Sequence, residues 1–206
     1  MQCFPSPKRS EFVSFRKLNT PAKVQDFLNS LPINFEPDGE TCSSPRSVLA
    51  RGTVHCFEGA VLAAAIFWYH GRPPFLLDLA TTLSDESHVV ALFKDGSRWG
   101  AVSKTNHATL RFRDPVYTSV RELTLSYFHE YFLDSGEKTL RAFSKQPLDL
   151  RAFEDEWLFA DFPIWGVYDA LVRAAHEPIA SKTTLKCLRH ADTIEITAGK
   201  LREWNA

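Results

Sequence analysis

Three stretches of this chain predict an α+β fold in which one central buried helix packs on an antiparallel sheet. The first is the run from Val54 to His70, apolar at nearly every position through Phe57, Ala60 to Ala65, Ile66 and Phe67. Apolar side chains on all sides mean a helix buried on most faces, and the alanines permit close backbone approach. The second is a pair of strand-like runs, Phe75 to Leu79 and His88 to Lys94. The third is Asp95-Gly96, a hairpin signal that folds His88–Lys94 back against Arg98–Ser103.

The remaining elements follow in order. Residues 1 to 20 read as an arm tacked to the body by Phe12 and Phe15. Thr20 as cap and Pro21 in the first turn start a helix over 21–30 with Val24, Phe27 and Leu28 inward, and Leu31-Pro32 stops it. The polar stretch 34–46 is a loop passing near the start of the central helix, and a short helix covers Pro45 to Arg51. Gly71 and Pro73-Pro74 end the central helix. Thr109 to Phe112 continues the sheet before a turn at Asp114-Pro115, and a helix covers Val120 to Phe132. Residues 137 to 180 read as helices and loops broken by Pro147, Pro163 and Pro178, and 185–189 with 193–197 as a final hairpin. The chain of 206 residues thus reads as a single domain, with a core over 45–118 and a helical and hairpin extension over 119–206 packed on it.

Composition sets the limits of function. Hydrophobic residues make up 44% of the chain, with 16 Phe and 5 Trp, enough apolar material for a core without staples. The 24 basic and 25 acidic residues leave a net charge of -1, so no nucleic acid or anionic membrane partner is expected from the totals. Met1 to Ser10 has no hydrophobic core of a leader, and Ala60 to Tyr69 is too short to span a bilayer. Four cysteines without a CxxC pair suit a reducing, cytoplasmic setting.

Cys56 and His88 carry the candidate chemistry. Cys56 falls at the start of the buried helix, where the helix field and free backbone N–H groups favour a thiolate and can serve an oxyanion. His88 opens a strand after a polar loop, where its side chain can face a cleft edge. A lone cysteine in an apolar helix is usually just small and buried, and a lone histidine at a strand start is commonly structural. Their joint placement raises the case for a thiol site. A hairpin centred on Asp95-Gly96 sets Ser103 roughly opposite His88. His55 reads as a surface or cleft-wall residue. Glu58, two residues beyond Cys56 in an apolar run, reads as half of a structural ion pair with Arg98, Arg111 or Arg113. Lys104, His107, Arg111 and Arg113 are expected along one side of the cleft, with Trp99 as a wall over the thiol. Tyr127, Phe128, Tyr131 and Phe132 read as core. Cys42, Cys56, His55, His88 and His107 lack tight ligand spacing, so neither a metal nor a cofactor is expected.

The stretch from Gly52 to Asn106 resembles the transglutaminase-like branch of the papain-like cysteine protease superfamily. The residues that carry the resemblance are Gly52-x-x-His-Cys56-x-Glu-Gly-Ala60, the alanine-rich helix, Gly71-Arg-Pro-Pro, His88-Val-Val, Asp95-Gly96, Trp99 and Val102-Ser-Lys-Thr-Asn106. The resemblance implies a nucleophile at Cys56, a general base at His88 and a third residue, usually Asp, on the next strand. Ser103 stands where that Asp is expected. Asn106 ranks first as its replacement, because an amide can orient a histidine, followed by Asp114, Asp78 and Ser103. The implied activity is that of a cysteine hydrolase or acyltransferase on an amide or peptide bond, with a peptide, protein or small amide as substrate. An inactive domain that binds a protein partner is the alternative.

Overall fold

The structure, a computed structural model, describes residues 3–5 and 7–205, so the reading of Met1 to Ser10 as lacking a leader lies partly outside the described residues. A 3₁₀ helix over Ser10–Lys17 buries Phe12 and Phe15 completely. Helix α1 (Pro21–Ser30) starts where Thr20 accepts the Lys23 N–H. Its inward residues are Val24, Gln25 and Leu28. Helix α2 (Pro45–Arg51) is capped by Ser44 and ends at Gly52, whose φ of 78° is the left-handed conformation that glycine adopts without strain.

Helix α3 (Cys56–Tyr69) is the central element, buried from Phe57 to Trp68. It leads through Gly71 to β1 (Phe75–Thr81), then β2 (His88–Asp95) and β3 (Arg98–Val102), each antiparallel to the one before. The β2–β3 register pairs Asp95 with Arg98 and Ala91 with Val102. The turn residues are therefore Gly96 and Ser97, one position later than the dipeptide suggests. The slip moves cross-strand partners by two positions, which leaves every side chain on the expected face.

Strand β4 (Arg113–Tyr117) replaces the expected Asp114-Pro115 turn, and residues 103–112 form a loop rather than a strand. Pro115 is tolerated because β4 lies at the sheet edge, where a missing N–H costs no ladder bond. Helix α4 (Val120–Phe128) stops short of Tyr131 and Phe132. The region read as helices and loops supplies strands β5 (Leu140–Ser144), β6 (Leu148–Asp149) and β7 (His176–Pro178), with short helices α5 (Glu156–Phe159) and α6 (Trp165–Arg173) between the last two. The expected final hairpin is instead two helices, α7 (Lys182–Lys186) and α8 (Thr193–Gly199). Ser181 caps α7, and Glu195 accepts the Asp192 N–H at the start of α8. Those caps start helices where the hairpin was expected.

The result is a seven-stranded sheet in the order β4-β3-β2-β1-β5-β7, with β6 also on β1. One face packs on α3 through Leu76, Val89, Ala91, Phe93 and Val102. The other packs Leu77, Leu79, Val90, Leu92 and Ala101 against Leu123, Tyr127 and Tyr131. Burial on both faces explains why β2 reads as an unbroken apolar run. This is an α+β arrangement of a central helix on an antiparallel sheet, with helices following the sheet. No helix among the described residues is long and apolar enough to cross a membrane.

Candidate active site

The start of α3 is held by Glu58, which is fully buried. Its carboxylate accepts the His55 N–H at 3.4 Å, the Ser43 N–H at 3.1 Å and the Thr41 hydroxyl at 3.0 Å, and pairs with Arg51 at 2.6 Å. The predicted structural ion pair is present, but its cation is Arg51 of α2 and not Arg98, Arg111 or Arg113. Burial works to raise the Glu58 pKa, yet His55, Ser43 and Arg51 outweigh it and the carboxyl is held below its ordinary value. The cluster staples loop 34–46 to the first turn of α3, which puts Asn34 and Glu36 beside His55 and Cys56 in one cleft.

That cleft, about 800 Å³, is lined by Cys56 and His88 together. Cys56 is half-buried. Burial pushes its thiol up to about 11, while the backbone N–H groups of Val89 and Phe57 pull the other way and Glu86 and Glu36 add to the rise. Val89 directly follows His88, so the sulfur rests against the opening of β2. Burial pushes the His88 imidazole down to about 4. At neutral pH, therefore, both groups are uncharged.

Ser103 holds the imidazole. His88 Nε2 lies 2.7 Å from Ser103 Oγ, and the Ser103 hydroxyl donates to the Leu110 carbonyl at 2.6 Å. With that hydroxyl proton committed, Ser103 accepts from Nε2–H, which leaves the lone pair on Nδ1. The Ser103 backbone is fixed in turn by Gln25 of α1, whose amide donates to the Ser103 carbonyl at 2.8 Å and accepts its N–H at 3.0 Å.

None of the other candidates for the third position bonds to His88, although Asn106 lines the same cleft. Asn106 is not on His88; its amide donates to the Trp204 carbonyl and accepts the Trp204 N–H, both at 2.8 Å. Asp78 is paired with His176 at 2.9 Å. Asp114 is exposed on edge strand β4. Ser103, ranked last in sequence, is the residue that the structure brings to His88. Sequence reasoning missed Gln25, although a glutamine on the inward face of an apolar-patterned helix is a readable sign of a buried polar partner.

Of the expected wall, Lys104 and His107 line the cleft. Lys104 is buried and caps the end of α1, donating to Leu28 O at 2.9 Å and Leu31 O at 2.5 Å, and burial lowers its pKa to about 8. Arg111 pairs with Glu203 and Arg113 with Glu130 instead. Trp99 does not cover the thiol: it stacks under Lys94 and beside Phe75, at the far end of the hairpin. Tyr127 and Tyr131 are buried, Phe128 and Phe132 partly so, but Tyr131 and Phe132 also line the cleft instead of lying wholly in the core, and Tyr131 donates to the Glu86 carbonyl. None of the four cysteines forms a disulfide. Among the described residues no group of three or more His, Cys, Asp or Glu side chains is placed to hold a metal ion.

No protein-family model matches the chain, and no curated protein matches its sequence. Two solved structures of Legionella pneumophila LapG, one of them EGTA-treated, are similar to it at 18% and 17% identity, with TM-scores of 0.38 and 0.37. Each match covers 46% of this chain and 61% of the LapG chain, so less than two thirds of LapG is spanned.

Proposed function

We propose that this chain is a cysteine-dependent hydrolase or acyltransferase of the papain-like superfamily, acting on an amide or peptide bond through an acyl-enzyme on Cys56. The observation that carries this reading is one cleft holding a helix-N-terminal thiol and an imidazole whose Nε2–H is fixed by Ser103. Because thiol and imidazole are neutral at rest, proton transfer belongs to the attack itself. As the Cys56 sulfur bonds to the carbonyl carbon, its proton passes to His88 Nδ1. The oxyanion forms near the first N–H groups of α3, where the helix field favours negative charge. Collapse expels the amine, which takes the proton from His88, and leaves a thioester. Water then gives hydrolysis, and an amine gives transamidation, the outcome associated with the transglutaminase-like branch.

The second reading is a binding domain on the same fold without turnover. It is favoured by a hydroxyl at Ser103 where the family uses a carboxylate, since a hydroxyl orients an imidazole but does little to stabilise its cation.

A thiol probe separates the two. An unassisted thiol with a pKa of about 11 alkylates more slowly at pH 7 than the exposed thiols of Cys3 and Cys187. We expect an uncharged electrophile to label Cys56 first, and His88→Ala to suppress that lead. Labelling of Cys56 no faster than Cys3 and Cys187, or a lead that survives His88→Ala, overturns the enzymatic reading and leaves the binding domain.

A further inference from the structure

The loop that carries Ser103 is not held by the sheet. Residues 103–112 have no helix or strand of their own, and Leu110, whose carbonyl anchors the Ser103 hydroxyl, has φ 59°. A leucine in the left-handed region is a conformation that neighbours must impose. Three of the groups of contacts that hold the loop bear on Ser103 and on its outer side. Gln25 grips the Ser103 backbone. Glu130 accepts the Leu110 N–H at 2.9 Å and pairs with Arg113 at 2.6 Å. The third group comes entirely from residues 199–204, nearly a hundred positions further along the chain.

That third group runs along the loop's outer side. The Asn106 amide clasps the Trp204 backbone at 2.8 Å in both directions, and the Glu203 N–H donates to the Asn106 carbonyl at 2.9 Å. The Ala108 N–H donates to the Leu201 carbonyl at 3.2 Å, and His107 Nδ1 meets the Gly199 carbonyl at 3.0 Å. Arg111 closes the set on Glu203 at 3.0 Å. Gly199 and Arg202 also line the cleft that holds His88.

We propose that residues 199–204 form a positioning strap for the site, with Asn106 as its clasp: the strap holds loop 103–112 so that Ser103 can hold the His88 ring. The inference rests on the reading of Cys56 and His88 as the reactive pair, and it makes that pair conditional on a segment remote in sequence. Asn106 acts through Ser103 and touches neither reacting group, so it is a positioning residue. Releasing the strap frees the loop to relax at Leu110, withdraws the Leu110 carbonyl from Ser103, and lets water reach the ring.

The test reads His88 by NMR in three chains: the full chain, Asn106→Ala, and a chain ending at Leu201. In the full chain the Nε2 proton is expected to be visible and slow to exchange, with the ring titrating well below an ordinary imidazole. Both variants should exchange that proton about tenfold faster or more, as for the loss of a single hydrogen bond, and the ring titration should move up toward 6.5. A purely structural role would lower the melting temperature and leave the ring's titration where it was. Asn106→Asp keeps the acceptor for the Trp204 N–H and loses the donor, so it should fall between the full chain and Asn106→Ala; it is also the measurement to rely on if a stronger variant fails to fold. An unchanged ring in folded Asn106→Asp and in the shortened chain overturns the strap. If the ring responds while Cys56 labelling does not, the strap stands and the assignment of Cys56 and His88 as a reactive pair falls.

Discussion

His88 is neutral because burial leaves its cation without water, and this gives the protein a pH dependence of known sign. The folded value of about 4 lies below the ordinary 6.5, so the unfolded chain takes up the proton first. Stability from this group is complete above about 6.5 and is lost as pH falls toward 4, by roughly 3 kcal/mol in all. Urea unfolding at pH 7.5 and 4.5 should show the drop, and His88→Gln, whose amide can still donate to Ser103, should flatten it. Ser103→Ala leaves Nε2–H and the Leu110 carbonyl without their shared partner. It should cost about 1–3 kcal/mol in the same assay and reduce Cys56 labelling.

Helix α3 approaches Lys104 closely because Gly59 carries no side chain. Gly59 sits where an added Cβ would lie 2.7 Å from Lys104 Cβ. Alanine in a helix interior ordinarily gains about 1 kcal/mol over glycine. Here the clash falls on the stem of a side chain pinned by two carbonyls, so Gly59→Ala should lose about 1–3 kcal/mol, as in overpacked cores, measurable by chemical denaturation. Glu58 works at the same scale: it joins α2, α3 and loop 34–46 through a single carboxylate. Glu58→Gln should loosen that loop, raising hydrogen exchange at the Ser43 amide by about tenfold, the loss of one charge-assisted bond.

At the scale of the molecule, the segments on either side of residue 119 share one sheet. Strand β1 pairs with β2 on one side and with β5 and β6 on the other. A chain of residues 45–118 alone would expose the inner edge of β1 and much of the apolar face that α4 and Tyr131 cover. We expect that fragment to show no cooperative unfolding transition in calorimetry, whereas the whole chain shows one. The strap belongs to this scale as well, since it ties residues 199–204 to a loop a hundred positions earlier.

The sequence alone determined what local chemistry determines. The alanine-rich run could only be a buried helix, Thr20-Pro21 carries its own cap, and Gly71 and Gly96 sit where the backbone turns. It also singled out Cys56 and His88, because a helix start and a strand start are readable positions. Tertiary structure decided what depends on partners distant in the chain. Strands β5, β6 and β7 exist as strands because β1 offers an edge to β5 and β6, and β5 in turn offers one to β7. Asn106 or Ser103 could each serve a histidine by type. The choice fell to Ser103 because Gln25 and Leu110 hold it there while Trp204 engages the Asn106 amide. Hydrogen-bond partners across some hundred residues leave no periodic mark in a sequence, so only the folded chain could distribute them.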